Sequence, residues 1–140
     1  MPTRKESMSS TLKCFQMVDL LAQEPYEFPL SDLATRLDQP LATAHRLAAT
    51  LVDAGFAEQD PVSRRYRIAG KALWAGAAYL RSSPLYRAAF LVMQEVARTA
   101  PGLIHLAALD GDWVLYLHTV GSPSRTYLYA DTGERRPLHA

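Results

Sequence analysis

The most constraining feature of the sequence is a pair of short helical patterns separated by a three-residue turn. The first pattern covers 30–37, the turn is Asp38-Gln39-Pro40, and the second pattern covers 41–54 before Gly55. Glycine is frequent just after a helix, and proline suits the first helical position, where its missing N–H would have no partner. We therefore expect Pro40 to begin the second of two helices that meet at a tight corner.

The second helix is amphipathic. At about 100° per residue its apolar residues fall on one side, where they can meet the apolar residues of the preceding helix. The two sets are Ala44, Leu47, Ala48, Leu51 and Val52, and Leu33, Ala34 and Leu37. This arrangement predicts a helix-turn-helix whose second helix enters the major groove of DNA. The alternative is an ordinary two-helix corner with a solvated polar face.

The opposite side of the second helix, with the turn before it, carries the candidate DNA contacts. Amide, hydroxyl and guanidinium groups can hydrogen-bond to base edges or phosphates. The candidates are Gln39, Thr43, Arg46 and Thr50. The helical wheel places His45 on the flank of this side. Alanines between these residues would let the helix lie deep in the groove.

A short β-hairpin is predicted directly after the second helix. Its strands cover 56–59 and 65–68, around a turn at 60–64 that is rich in Asp, Pro and Ser. Arg64, Arg65 and Arg67 lie near the tip. In a winged helix such a hairpin contacts phosphates or the minor groove, where arginine is favoured. The alternative is a solvated charged turn.

The charge of the chain does not by itself favour DNA binding. The 140 residues have a formal net charge of +1, and residues 1–70 hold eight Lys/Arg against nine Asp/Glu. A DNA-binding surface must therefore depend on local clustering of cations. The weak charge leaves open a second hypothesis, a dimerisation or ligand-sensing module that does not bind DNA.

The rest of the chain is predicted to hold two helices and then strands. The helices cover 71–82 and about 85–99, and the strands cover 103–109 and 112–120 around an Asp-Gly turn, with a third strand over 123–129. A further helix is predicted near the N-terminus, over about 10–23. The apolar surfaces of 12–22 and 71–80 exceed what a small winged helix needs, and they predict a homodimer.

The pairing of the two longer strands decides which side chains share a face. If residue 109 pairs with 112, then His105, Tyr116 and His118 lie on one mixed face, with Tyr116 opposite His105. This face is either a half-covered sheet surface or a small-molecule site. For the second alternative, His105 and Tyr116 are the candidate ligand-binding residues.

Enzymatic and metal chemistry have no recognisable motif here. The four histidines lie far apart, no Cys/His pair has metal-ligand spacing, and no nucleophile elbow or glycine-rich phosphate loop is present. No apolar run approaches the roughly 20 residues of a bilayer span, and the first residues do not form a signal peptide. With a single cysteine, these features predict a cytoplasmic non-enzyme that uses no metal or cofactor.

Taken in order, several stretches resemble the IclR family of bacterial transcriptional regulators. They are 30–37, 43–58, 65–69, 105–112 and 137–140. The resemblance implies an α+β protein with a winged helix-turn-helix DNA-binding domain over 1–70, a linker helix over 71–83 and a GAF-like α/β effector domain over 84–140. It also implies that Thr43, His45 and Arg46 lie at the start of the recognition helix.

The same resemblance implies partners. Members of the family bind operator DNA as dimers or dimers of dimers, and they repress or activate operons for the catabolism of small organic acids. In the family, the run at 137–140 is followed by the rest of the effector domain. We therefore expect the chain to contain only the N-terminal part of that domain, with an incomplete effector pocket.

Overall fold

A computed structural model describes residues 9–122 and 131–139, and the chain divides into two compact units. The first unit extends to Ala75 and the second begins at Gly76. The strand predicted over 123–129 lies outside the described residues, so it stays a prediction.

The first unit contains three helices, a hairpin and the beginning of a fourth helix. Its elements are α1 (Ser10–Leu21), α2 (Leu30–Arg36), α3 (Leu41–Asp53), β1 (Ala57–Gln59), β2 (Tyr66–Ile68) and α4 (Gly70–Ser82). The strands pair antiparallel, with Gln59 opposite Tyr66. The predicted helix pair and hairpin are confirmed. The division between the units falls inside α4.

The two ends of α3 show how local chemistry sets its length. Pro40 is the N-cap and not the first helical residue as expected, because its backbone is extended while its carbonyl accepts the first helical hydrogen bonds. At the other end Gly55 has a φ of +78°. The amide of Phe56 donates to the carbonyl of Leu51 at 2.9 Å, which completes a glycine-type C-cap.

One face of each helix and of the hairpin forms the core of the first unit. The buried residues are Met17, Leu21, Phe28, Leu33, Ala34, Ala44, Leu47, Ala48, Leu51, Ala57 and Tyr66. Of the apolar side predicted for α3, Val52 is the exception, with 37% of its surface exposed. It lies at the edge of the apolar stripe, so it turns partly towards solvent.

The second unit contains a helix and a three-stranded antiparallel sheet in the order β3-β4-β5. Its elements are α5 (Pro84–Thr99), β3 (Gly102–Asp110), β4 (Trp113–Ser122) and β5 (Arg135–Pro137). Ser83 caps α5 by accepting a hydrogen bond from the amide of Tyr86. The buried hydrophobic residues of the described part are Met93 on α5 and Leu117 on β4. The short strand β5 was not predicted.

The turn between β3 and β4 differs from the expected one. Asp110 pairs with Trp113, so Gly111 and Asp112 form the turn, and residue 109 does not pair with 112. Gly111 has a φ of +62°. A two-residue hairpin turn needs a positive φ at its first position, and this pairing places the glycine there.

A β-bulge in the same hairpin also corrects the expected faces. The register shifts where Leu117 has no opposite residue, so His118 lies opposite Leu106 and His105 lies opposite Thr119. One additional residue reverses the side-chain alternation beyond it. The prediction that His105 and His118 share a face is therefore wrong.

Among residues 9–122 and 131–139, none of the helices combines the length and the apolar character that crossing a bilayer requires.

Candidate nucleic-acid interface

The side of α3 that faces away from the core carries polar side chains. His45, Arg46 and Thr50 are exposed, whereas Thr43 is half-buried. Residues four positions apart on a helix are neighbours, so Arg46 and Thr50 lie on one surface, and His45 lies on its flank. The Thr50 hydroxyl donates to the Arg46 carbonyl at 2.9 Å. The imidazole of His45 is thus more accessible than the Thr43 hydroxyl, the reverse of what the helical wheel favoured.

Gln39 has a role within the turn before α3. Its amide nitrogen donates to the carbonyls of Leu37 at 3.2 Å and Asp38 at 2.6 Å. Its amide oxygen accepts a hydrogen bond from Lys13 Nζ at 2.9 Å, which ties α1 to the turn. The amide that was predicted to reach DNA is therefore engaged by the protein itself, and Lys13 is a cation beside the turn that the sequence analysis missed.

The β1–β2 hairpin is attached to the rest of the first unit through the buried residue Tyr66. The backbones of Phe28 and Tyr66 exchange two hydrogen bonds, of 2.9 and 2.8 Å, and both side chains are buried. On its other side, β1 packs against α3. Because Tyr66 begins β2 directly after the turn, the hairpin is fixed near its turn to the same core that supports α3.

Asp60 organises the turn at the tip of the hairpin. Its carboxylate accepts hydrogen bonds from the amides of Ser63 at 2.6 Å and Val62 at 2.9 Å. These hydrogen bonds, with Ser63 contributing most, lower the pKa of Asp60. Arg64 follows with a φ of +59° and an exposed side chain. The exposed guanidinium of Arg65 lies 3.5 Å from the Glu27 carbonyl.

Arg67 differs from the two arginines at the tip because it is held by carboxylates on two sides. Its Nε lies 2.6 Å from Glu58 Oε1 on β1, and its Nη1 lies 3.1 Å from Glu27 Oε1. The hydrogen bond to Glu58, and then the one to Glu27, raises the pKa of Arg67. The sequence contains a signal for the first pair, since opposite charges at facing positions of a hairpin attract.

In the second unit, His105 and Tyr116 are close to each other. Their rings meet edge to face with centroids 5.5 Å apart, and His105 Nδ1 lies 2.9 Å from the Thr119 hydroxyl. The guanidinium of Arg136 lies over the Tyr116 ring at 5.6 Å. A hydrogen bond between Arg136 and Glu134 lowers the pKa of the carboxyl and raises that of the guanidinium. Arg136 on β5 and Glu134 just before that strand thus join the two residues predicted as a ligand site.

His118 lies apart from that pair. Its ring contacts Phe90 and Tyr86 of α5, with centroids 5.2 and 5.6 Å away, and its Nε2 is buried with no hydrogen-bond partner. Across the described ranges, no three His, Cys, Asp or Glu side chains are grouped in a way that could hold a metal ion.

Each of the two units matches a known protein family. Residues 10–61 match the IclR helix-turn-helix domain, and residues 77–140 match the C-terminal domain of the bacterial transcriptional regulator IclR. The HTH-type transcriptional regulator KdgR of Escherichia coli K12 is 32% identical over 135 residues, which are 96% of this chain and 51% of KdgR. The glycerol operon regulatory protein of Streptomyces coelicolor is 32% identical over 96% of this chain and 53% of its own length. The chain therefore spans about half the length of the curated relatives it matches.

Solved structures share the same fold. The crystal structure of an IclR homolog from Microbacterium hydrocarbonoxydans, complexed with 4-hydroxybenzoate, is similar with a TM-score of 0.77 and 24% identity over 94% of this chain and 54% of that one. An IclR family transcriptional regulator from Brucella abortus has a TM-score of 0.76 and 23% identity over 96% of this chain and 51% of that one.

Proposed function

The chain belongs to the IclR family of bacterial transcriptional regulators, and on that premise we propose that it binds operator DNA through α3 and the β1–β2 hairpin. The observation that carries the proposal is the exposed polar face of α3, with His45, Arg46 and Thr50, on a helix whose opposite face is buried. Membership in a family of transcriptional regulators also agrees with the expectation that the chain is not an enzyme.

In this proposal α3 lies in the major groove and the hairpin lies along the neighbouring phosphates. Arg46 and His45 contact base edges, with Thr50 and the less accessible Thr43 supporting them. Arg64 and Arg65 contact phosphates from the hairpin tip. Gln39 and Arg67, which the sequence analysis placed among the DNA contacts, instead hold the turn and the hairpin in position.

We propose that the chain binds its operator as a homodimer, two of which can associate into a dimer of dimers. Large apolar side chains are exposed on α1 and α4: Phe15 at 62%, Leu73 at 77% and Trp74 at 66%. Exposing such an apolar surface to water does not stabilise a monomer, whereas a second copy of the chain would bury it. A two-fold dimer also matches the two half-sites of a palindromic operator.

The proposed effector is a small organic acid that binds near His105 and Tyr116. The imidazole and phenol groups can hydrogen-bond to a carboxylate, and Arg136, which is paired with Glu134, lies over the Tyr116 ring. Calorimetry with a series of aromatic and aliphatic carboxylates, on the unmodified chain and on His105→Ala, tests this assignment. Equal binding by both proteins, or no binding of any acid, would remove it.

DNA binding is tested by selecting duplexes from a random library with the unmodified chain, and then measuring the affinity of the Arg46→Ala variant for the best duplex. We expect a loss of about 1–3 kcal/mol. Arg87→Ala, which removes the same charge from an exposed position on α5, is the matched control.

The alternative is a dimerisation or ligand-sensing module without DNA affinity. The net negative count of residues 1–70 is the observation in its favour. If the selection enriches no duplex at modest salt while the chain still forms dimers, the alternative is correct and the DNA-binding proposal fails.

A further inference from the structure

Lys71 in the first turn of α4 reaches back to the C-terminal end of α3. Its Nζ donates to the carbonyl of Ala54 at 2.8 Å and lies 5.3 Å from the centroid of the Phe56 ring. Both partners follow α3 directly in the chain, and neither belongs to the DNA-contacting face proposed above. Lys71 therefore joins α4 to the helix that is proposed to enter the groove.

The electrostatics of α3 explain why a cation is stabilised at this position. The last carbonyls of a helix have no helical partner and carry partial negative charge. α3 has no basic residue in its own last turn, and Asp53 in that turn adds negative charge. Lys71 supplies the cation from another element, and the face of the Phe56 ring adds a second attraction.

The backbone at the end of α3 leaves room for this contact. The aliphatic part of Lys71 crosses Gly55, where a β-carbon would lie 3.4 Å from Lys71 Cδ. Gly55 also has the positive φ that closes the helix. The positive φ is what requires glycine at this position, and the lysine stem packs beside it at ordinary van der Waals distance.

We propose that Lys71 is a positioning residue that couples the first turn of α4 to the recognition helix α3. The inference rests on the proposed DNA-binding role of α3. Coupling between two sites is reciprocal, so occupancy of α3 by DNA must alter the first turn of α4, and displacement of that turn must alter the affinity of α3 for DNA. Lys71 carries this coupling through Ala54 and Phe56.

The test compares four variants of the whole chain. Lys71→Met keeps an apolar stem, Lys71→Arg keeps the charge, Phe56→Leu removes the ring, and Arg81→Met is the control. Arg81 is exposed in the last turn of the same helix, so its replacement removes an equal charge elsewhere. The probe is the duplex that the unmodified chain selects from a random library. Affinity is measured by fluorescence anisotropy, and hydrogen exchange is followed at residues 70–75 and 41–53, with and without saturating duplex.

For the unmodified chain and Arg81→Met, we expect the duplex to slow exchange in both segments. For Lys71→Met we expect about tenfold weaker binding of the duplex. When this variant is saturated with duplex, hydrogen exchange should still slow in 41–53, but it should not slow in 70–75. A merely structural lysine would change stability without removing this duplex-dependent response. Lys71→Arg should retain most of the response, and Phe56→Leu, which removes the ring but keeps the lysine, should lose part of it.

Two outcomes overturn the proposals separately. If the unmodified chain binds the duplex and Lys71→Met shows the same affinity and the same slowing at 70–75 as Arg81→Met, the coupling is wrong and the DNA-binding role stands. If the unmodified chain binds no duplex, the DNA-binding role fails, and the coupling falls with it.

Discussion

Arg67 and Glu58 face each other across the β1–β2 hairpin, with Arg67 Nε 2.6 Å from Glu58 Oε1. A second carboxylate, that of Glu27, holds the same guanidinium from the loop before α2. Two carboxylates around one guanidinium leave no net positive charge for a phosphate. The proposed phosphate contacts of the hairpin therefore belong to Arg64 and Arg65, while Arg67 fixes how the hairpin sits on the core.

We expect Arg67→Met to lower the melting temperature and weaken duplex binding without changing how binding depends on salt. Removing Arg67 leaves two carboxylates close together beside the middle of the hairpin, but it breaks no phosphate contact. The measurements are thermal unfolding and the slope of log Kd against log salt concentration. If the salt slope of Arg67→Met falls by as much as it does when a phosphate-contacting arginine is removed, Arg67 contacts DNA.

For Arg64→Ala and Arg65→Ala we expect the opposite pattern. Each change should lower the salt slope by about one, because each removed phosphate contact releases about one fewer counterion. The melting temperature should change little, since both side chains are exposed. Arg87→Ala is the control of equal charge, and an identical slope for all three variants would exclude a specific role for the hairpin tip.

The accessibility of side chains on α3 makes a prediction about base preference. His45→Ala should weaken binding to the selected duplex by about 1–3 kcal/mol and relax the preference at one base position. Thr43→Val, at a half-buried position, should leave that preference nearly unchanged. Repeating the duplex selection with each variant measures both effects. A larger change in preference for Thr43→Val would mean that the helix enters the groove by its other flank.

Asp60 predicts a pH dependence of the hairpin turn. Hydrogen bonds from Ser63, and then Val62, lower its pKa from a reference of 3.8. A carboxyl group whose pKa is lower in the folded state stabilises the fold when the pH is above its unfolded-state pKa. This contribution is lost as the pH falls through the folded-state pKa. Asp60→Ala should therefore reduce the melting temperature at neutral pH. The difference from the unmodified chain should shrink as pH falls below 3.8.

Thermal unfolding between pH 3 and pH 7 measures this difference. Asp112→Ala, which removes an exposed carboxylate from the turn between β3 and β4, is the control. A constant difference between Asp60→Ala and the unmodified chain over this range would mean that the carboxylate does not hold the turn.

The buried face of α2 predicts a large effect on stability. Leu33 is fully buried against the helices of the first unit, so Leu33→Ala should cost about 2–5 kcal/mol of unfolding free energy. Leu41→Ala, at the exposed first residue of α3, should stay within about 0.5 kcal/mol of the unmodified chain. Urea unfolding measures both. Equal costs would contradict the assigned core.

Helical periodicity was sufficient to predict the helices of the first unit. Residues such as Ala44, Leu47 and Leu51 recur with the spacing of one helix face, and burying that face leaves few other arrangements for the chain. The turn and the C-cap are likewise local, because Pro40 and Gly55 each restrict the backbone where they stand. The exposed face of α3 followed from the same wheel.

Features that depend on contacts between distant residues could not be predicted in this way. Gln39 was predicted to contact DNA because the sequence pattern does not reveal its hydrogen bond with Lys13, which lies 26 positions earlier. The bulge at Leu117 moved His118 away from His105, and no residue type near it announces the register shift. Short strands such as β5 have too few residues to show an alternation.

Different residues of the β1–β2 hairpin hold its turn in place and form its exposed surface. Asp60 closes the turn through main-chain amides, and the backbone of Phe28 holds Tyr66 where β2 begins, so the turn does not depend on every side chain at its tip. Val62, for example, is 89% exposed. Mutations at such positions can therefore accumulate in a lineage without unfolding the domain. Because the tip is proposed to contact phosphates, they would change how tightly DNA is held and not which sequence is read.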